Sequence, residues 1–284
     1  MHDSEPPSFR CHGPAMPTSP VILSVPHAGR AYPAALLAAL RVPPSALIQL
    51  EDRHADYIAQ LARRDEILIA ADRPRAWIDL NRSERERDPA IDEGVSPQSQ
   101  PLPSAKLRSG LGLVPRRLAT HGLLWSRKFS DAEIRHRIMQ DHRPYHQAVA
   151  DTLKAARERF GVAILLDIHS MPPLGAGTGA TRVVLGDRHG AACAPAFLAR
   201  AAHAVRAGGH VAAINDPYAG GHVLERHGAP GRGVHALQIE IDRSLYLDPA
   251  LDAPGPGAAK VAQMLRAVID ALADGALPVP VAAE

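Results

Sequence analysis

Short apolar runs bounded by turn residues alternate along this chain with stretches whose apolar positions recur every three or four residues. "VILSV" (21–25), "EILIA" (66–70), "AWIDL" (76–80), the run 162–168, "TRVVLG" (181–186), "HVAAIN" (210–215) and "HALQIEI" (235–241) are short and apolar-rich, the pattern of buried strands, and the run from Val162 is bounded by Gly161 and by Pro172 and Pro173. Residues 33–40 and 53–64 carry helical periodicity, with Ala55, Ile58, Ala59 and Ala62 forming one stripe of the second. A long helix opens at Ser130, where Ser130 and Glu133 make a capping-box pattern; Pro144 should kink or divide it, and Gly161 ends it. Helices are also expected at 193–207 and 257–273. This alternation predicts an α/β sheet with helices on both faces. Residues 1–20 read as an irregular arm, 83–126 as a long insertion running over the surface, 216–233 as a loop, and the tail 277–284 as fraying. The whole, 1–284, is expected to be a single domain.

Composition narrows the partners. A formal charge of +2 gives no electrostatic case for nucleic acid or a membrane surface. No apolar run approaches the roughly 18 residues of a membrane span, and the N-terminus lacks a signal-peptide pattern. Two cysteines, Cys11 and Cys193, make neither a disulfide framework nor a thiolate metal site and fit a reducing, cytoplasmic location. Fifteen histidines are the one oddity.

Polar residues collect where apolar strands end: His27 in "SVPHAGR", Asp79, Asn81 and Arg82 in "WIDLNR", Asp167, His169 and Ser170 in "LLDIHS", and Glu240 and Arg243 in "LQIEIDRSLY". Parallel strands would gather these ends on one edge, where α/β proteins bind ligands. His27 and His169 suit zinc, whose catalytic sites take three protein ligands and keep one open position. A carboxylate is the expected third ligand, and "EDRHADY" offers Glu51, Asp52 and Asp56; Asp52 fits a helix N-cap equally well. Glu240 shares the polar face of its strand with Gln238 and Asp242, opposite Leu237, Ile239 and Ile241. It reads as a general base or as the partner of Arg243. Arg82 suits a substrate carboxylate. The charges of 84–88 read as solvated surface, and His12, His121, His136, His142, His146, His189, His203, His210 and His227 as surface or ordinary core.

"VPHAGRAYP", "DRHAD", "IDLNR", "LLDIHSMPP", "NDPYAGGHVLERHG" and "HALQIEIDRSLYLD" together, in order over about 20–275, resemble the N-formylglutamate amidohydrolases, relatives of zinc carboxypeptidases and aspartoacylase-like deacylases. The resemblance implies a three-layer α/β/α sandwich around a mixed, largely parallel sheet. It also implies His169 as a zinc ligand, Glu240 as the catalytic glutamate, and Asn81 with Arg82 as the holders of a substrate carboxylate. The carboxypeptidase H-x-x-E motif is broken here, because Arg30 stands at the glutamate position. The carboxylate ligand is therefore expected elsewhere, with Asp52 chosen because "DRHAD" fits the family's D-x-x-x-D pattern.

The expected reaction is zinc-dependent hydrolysis of the formyl amide of N-formylglutamate, or of a close N-acyl acidic amino acid. Zinc on His27, Asp52 and His169 would acidify water, Glu240 would carry its proton, Arg30 or Arg243 would meet the second carboxylate, and the loop with Tyr218 and His222 would close over the substrate. The rival readings are a zinc deacylase with another N-acyl substrate and a non-catalytic binding protein of the same fold.

Overall fold

The computed structural model describes residues 7–99, 102–177 and 179–276. Its strands are β1 (Phe9–His12), β2 (Val21–Val25), β3 (Leu68–Ala71), β4 (Arg117–Leu118), β5 (Gly122–Leu123), β6 (Ala163–Met171), β7 (Val183–Gly186), β8 (Ala212–Ile214) and β9 (Val234–Asp242). Its helices are α1 (Ala34–Ala39), α2 (Ala55–Ala62), α3 (Ala105–Arg108), α4 (Asp131–Arg137), α5 (Arg143–Phe160), α6 (Pro195–Ala207), α7 (His222–His227) and α8 (Ala258–Ala276). Seven strands form a mixed sheet in the order β1-β3-β2-β6-β9-β7-β8, and β4 and β5 form a hairpin. β2, β6 and β9 are mutually parallel, β7 runs antiparallel to β9, and β8 is parallel to β7. The architecture is thus the mostly parallel α/β fold that the alternation predicts. No described helix is long and apolar enough to cross a membrane.

The chain divides into two compact units. The first centres on Pro26–Arg53 and Ile69–Ala148, with residues 7–10. Here "AWIDL" departs from expectation. It is not a strand but a pair of turns, closed by Trp77 N–H to Pro74 O at 2.8 Å and Arg82 N–H to Asp79 O at 3.1 Å. Ala76, Trp77, Ile78 and Leu80 are nevertheless buried, so the apolar signal reports burial rather than strand. The expected surface course of 83–126 is also revised: α3 and the β4–β5 hairpin lie within it, and Leu107, Leu113, Val114, Leu118, Leu124 and Trp125 are core. The capping box forms at Ser130 and Glu133. The long helix is divided as Pro144 requires, through a π turn at Ile138–His142. Arg137, 1% exposed, lies 3.8 Å over the Trp77 ring and 4.2 Å over Phe129, and burial pushes its guanidinium down to about 10.

The second unit comprises Cys11–Val25, His54–Leu68 and the described residues between 149 and 276. α2 and α8 pack on β2 and β6, and α6 on β7 and β8. The predicted stripe Ala55, Ile58, Ala59 and Ala62 is the buried face of α2. Gly161, at φ +78°, closes α5 with its N–H on Arg157 O. Two readings are corrected: the arm contributes β1, and the loop 216–233 contains α7. The expected fraying tail, 277–284, lies outside the described residues.

His227 ends α7 and is buried. Burial, joined by the Arg226 charge, pushes its imidazole down to about 4. Unfolded, it titrates near 6.5. The unfolded chain therefore takes up a proton below about 6.5 that the folded chain refuses until about 4. Stability from neutral His227 is complete above that window and is lost as pH falls through it, by on the order of 3 kcal/mol in total. Melting curves at pH 7 and pH 4.5 should converge more for His227→Gln than for wild type; equal slopes would remove this assignment.

Candidate active site

Each unit carries a buried histidine held by a carboxylate. In the first, Pro26 ends β2 and turns the chain, leaving His27 2% exposed. Asp52 N–H donates to His27 O at 2.9 Å, which ties the two segments together. The His27 ring faces two acids. Nε2 lies 2.7 Å from Asp79 Oδ1 and Nδ1 lies 3.5 Å from Asp52 Oδ2.

Asp79 is fully buried. Burial opposes its charge, but Arg75, His27 and Arg82 outweigh burial and hold the carboxyl well below the ordinary range. Arg75 Nε donates to Oδ2 at 2.8 Å, and Asn81 N–H to Oδ1 at 2.9 Å. An ionised Asp79 only accepts, so His27 Nε2 carries a hydrogen, and Nδ1 is the ring atom that faces Asp52. This is the carboxylate–imidazole arrangement that orients metal-binding histidines.

Asp52 does not cap α2. The N-cap is His54, in the left-handed region at φ 59°, and it makes no side-chain capping bond. Glu51 is engaged by the Tyr32 hydroxyl and by Arg53 Nη1 at 2.7 Å. Asp56 lies in the first turn of α2. Arg30 folds back, donating from Nη1 to Ala28 O at 2.9 Å. Arg82 is 7% exposed and donates from Nε to Leu111 O at 2.9 Å and from Nη1 to Asn81 O at 2.6 Å. Among the described residues the other three of its five N–H groups, one on Nη1 and two on Nη2, make no hydrogen bond.

In the second unit, β6 and β9 run in register, with His169 opposite Glu240 and Asp167 opposite Gln238. Paired residues of neighbouring strands point to the same face. His169, 2% exposed, places Nε2 2.8 Å from Asp167 Oδ2, and Ser24 Oγ donates to Asp167 Oδ1 at 2.6 Å. Its arrangement therefore matches that of His27. Glu240, 8% exposed, accepts from Gln238 Nε2 at 2.9 Å. Arg243 donates to Ser170 O at 3.4 Å, and Arg182 takes Asp242 at 2.6 Å. Tyr218 is half-buried in the segment before α7, and His222 opens α7 with Nδ1 3.4 Å from Glu225 Oε2.

Sequence reasoning named Asp79 and Asp167 among the strand-end polar residues but gave neither a role. For Asp167 a signal existed, since residues two apart on a strand share a face, so D-x-H places the acid beside the imidazole. For Asp79, 52 positions from His27, none did.

Comparison with known proteins is consistent across sequence and structure. The family model of N-formylglutamate amidohydrolase matches residues 19–247. An N-formylglutamate deformylase of Pseudomonas aeruginosa is 31% identical over 268 residues, spanning 91% of this chain and 92% of its own length. One from Pseudomonas putida is 30% identical over 235 residues, spanning 81% and 82%. The crystal structure of an N-formylglutamate amidohydrolase from Ralstonia eutropha JMP134 matches with a TM-score of 0.85 at 32% identity, covering 94% of this chain and 98% of its own.

Proposed function

The chain belongs to the N-formylglutamate amidohydrolase family, and we propose that it hydrolyses the formyl amide of N-formyl-L-glutamate to formate and glutamate with one zinc ion. The observation that carries the mechanism is the pairing of His169 with Glu240 across β6 and β9, two buried polar groups of complementary chemistry side by side on one sheet face.

In this reading His27, Asp52 and His169, a candidate metal-holding group, bind the ion. Two imidazoles and a carboxylate are a donor set that suits zinc and leaves a position open. The 3.5 Å between His27 Nδ1 and Asp52 Oδ2 fits as well. Two ligand atoms about 2.0–2.1 Å from a tetrahedral centre stand roughly 3.3 Å apart. Bound there, zinc supplies Lewis-acid polarisation of the formyl carbonyl and lowers the pKa of water.

The protein's own groups do the rest. Asp79 and Asp167 fix the two rings so that Nδ1 of each is the donor atom. Glu240 accepts the proton of the attacking water and passes it to the departing glutamate nitrogen. Its low exposure and the Gln238 hydrogen bond restrict it to a narrow range of orientations. Arg82 and Asn81 receive one substrate carboxylate, Arg30 or Arg243 meets the second, and Tyr218 and His222 border the substrate.

The test is formate release from N-formylglutamate set against release of the acyl group from N-acetylglutamate, with zinc measured on the same preparation. A preparation that carries zinc yet favours the acetyl substrate would move the assignment to a related deacylase. Arg82→Lys keeps the charge but loses the planar fork. It should raise KM for N-formylglutamate by about tenfold or more, while substrate monoamides lose the distinction between the two proteins. A monoamide hydrolysed as well as the diacid by wild type would make Arg82 structural.

A further inference from the structure

Arg82 works only if its turn is rigid, and the residues that hold the turn lie outside the chemistry described so far. Each main-chain carbonyl from Asp79 to Arg82 has a partner. Asp79 O accepts from Arg82 N–H at 3.1 Å and Asn81 O from Arg82 Nη1 at 2.6 Å. The other two go to a pair of histidines: Leu80 O faces His146 Nε2 at 2.9 Å and Arg82 O faces His142 Nε2 at 2.8 Å. A carbonyl only accepts, so each Nε2 carries a hydrogen whatever the charge of its ring.

Both histidines are 0% exposed, and their ring centroids are 4.5 Å apart. They stand four apart along the helical segment, which puts them on one face. His142 belongs to the π turn Ile138–His142, a widened turn of the kind found at functional sites. The same stretch grips the chain further back: Arg137 Nη1 donates to Trp77 O at 3.0 Å, and Asp141 Oδ2 accepts from Trp77 Nε1 at 2.7 Å. A face meant only to fill volume would carry leucines, since a buried imidazole is costly unless its polar atoms are paired.

We propose that His142 and His146 are positioning residues that hold the Asn81–Arg82 turn in its carboxylate-reading geometry. The proposal rests on the reading that Arg82 receives a substrate carboxylate. It predicts that the two histidines set substrate affinity and selectivity without touching substrate. The experiment compares Leu, Asn and Gln at each position, because a Gln amide nitrogen reaches about as far as Nε2 and an Asn amide does not.

His142→Leu and His146→Leu should raise KM for N-formylglutamate by about tenfold, the change produced by roughly 1.4 kcal/mol of lost binding. Their kcat should stay within about threefold of wild type, and the preference for the diacid over its monoamides should shrink. The Gln variants should recover KM to within about threefold. A purely structural role would lower the melting temperature and leave KM and preference of the folded fraction unchanged, which would overturn the proposal. Should the Leu variants fail to fold, His146→Asn against His146→Gln decides: impaired Asn with near-normal Gln supports it, and equal KM values reject it. Wild-type protein with no preference for the diacid would remove the Arg82 reading and this inference together. A wild-type preference that the variants retain would remove this inference alone.

Discussion

Glu240→Gln is expected to cut turnover of N-formylglutamate roughly a hundredfold or more while leaving zinc content and substrate binding intact. Glutamine keeps the size of the side chain and its hydrogen-bonding capacity toward Gln238, so the fold around β9 should be undisturbed. What it loses is the ability to take a proton. Two other roles for Glu240 predict different outcomes. As a metal ligand its loss would lower zinc affinity along with rate, and Asp52→Asn would leave the metal in place. As a neutraliser of Arg243 its loss would lower stability with turnover of the folded fraction near normal. Zinc content, melting temperature and kcat on Glu240→Gln and Asp52→Asn separate the three roles, and normal kcat in the Gln variant would end the general-base assignment.

His169→Ala should abolish metal retention. Wild-type protein is expected to hold about one zinc per chain, as single-metal catalytic sites do. Removing one of three protein ligands leaves two donors, too few for a stable site. The neighbouring carboxylate gives a graded control. Asp167→Asn keeps a hydrogen-bond acceptor for His169 Nε2 but removes its charge, and second-layer changes of this kind cost about 10–100-fold in metal affinity. The expected series in a chelator titration is therefore wild type, then Asp167→Asn, then His169→Ala. Full zinc retention by His169→Ala would reject His169 as a ligand, and equal affinities for wild type and Asp167→Asn would reject the orienting role of Asp167.

Much of the fold was legible in the sequence because burial on both faces writes continuous apolar runs. β2, β6 and β9 are of this kind, and all three appear near their expected positions. "AWIDL" shows the limit of the signal. Its side chains are as buried as those of a strand, but the turns at Pro74 and Asp79 take its backbone bonds, and periodicity over five residues does not separate the two cases. β1 was missed for the opposite reason: "FRCH" is a partly exposed end strand with little apolar content. α7 is six residues long and flanked by Gly221 and Gly228, so loop composition outweighed it. Among site residues, those that end strands were visible by type and position. The pairings that orient them were not, because Asp79 reaches His27 and the two helix histidines reach the 80–82 carbonyls across 52 to 66 positions of sequence.

The register of β6 and β9 has a consequence for how this activity can change. Main-chain ladder bonds hold His169 and Glu240 roughly 4.8 Å apart, the spacing of neighbouring strands. A one-residue slip would carry either side chain to the opposite face, so no gradual adjustment of their separation is available. In the proposed reading the acyl group and amino acid accepted are instead set by the Asn81–Arg82 turn, held by its own hydrogen bonds, and by the segment before α7. Variants altered there, together with the histidines that hold the turn, should therefore diverge in selectivity while the reaction's pH dependence, set by the β6–β9 pair, stays unchanged.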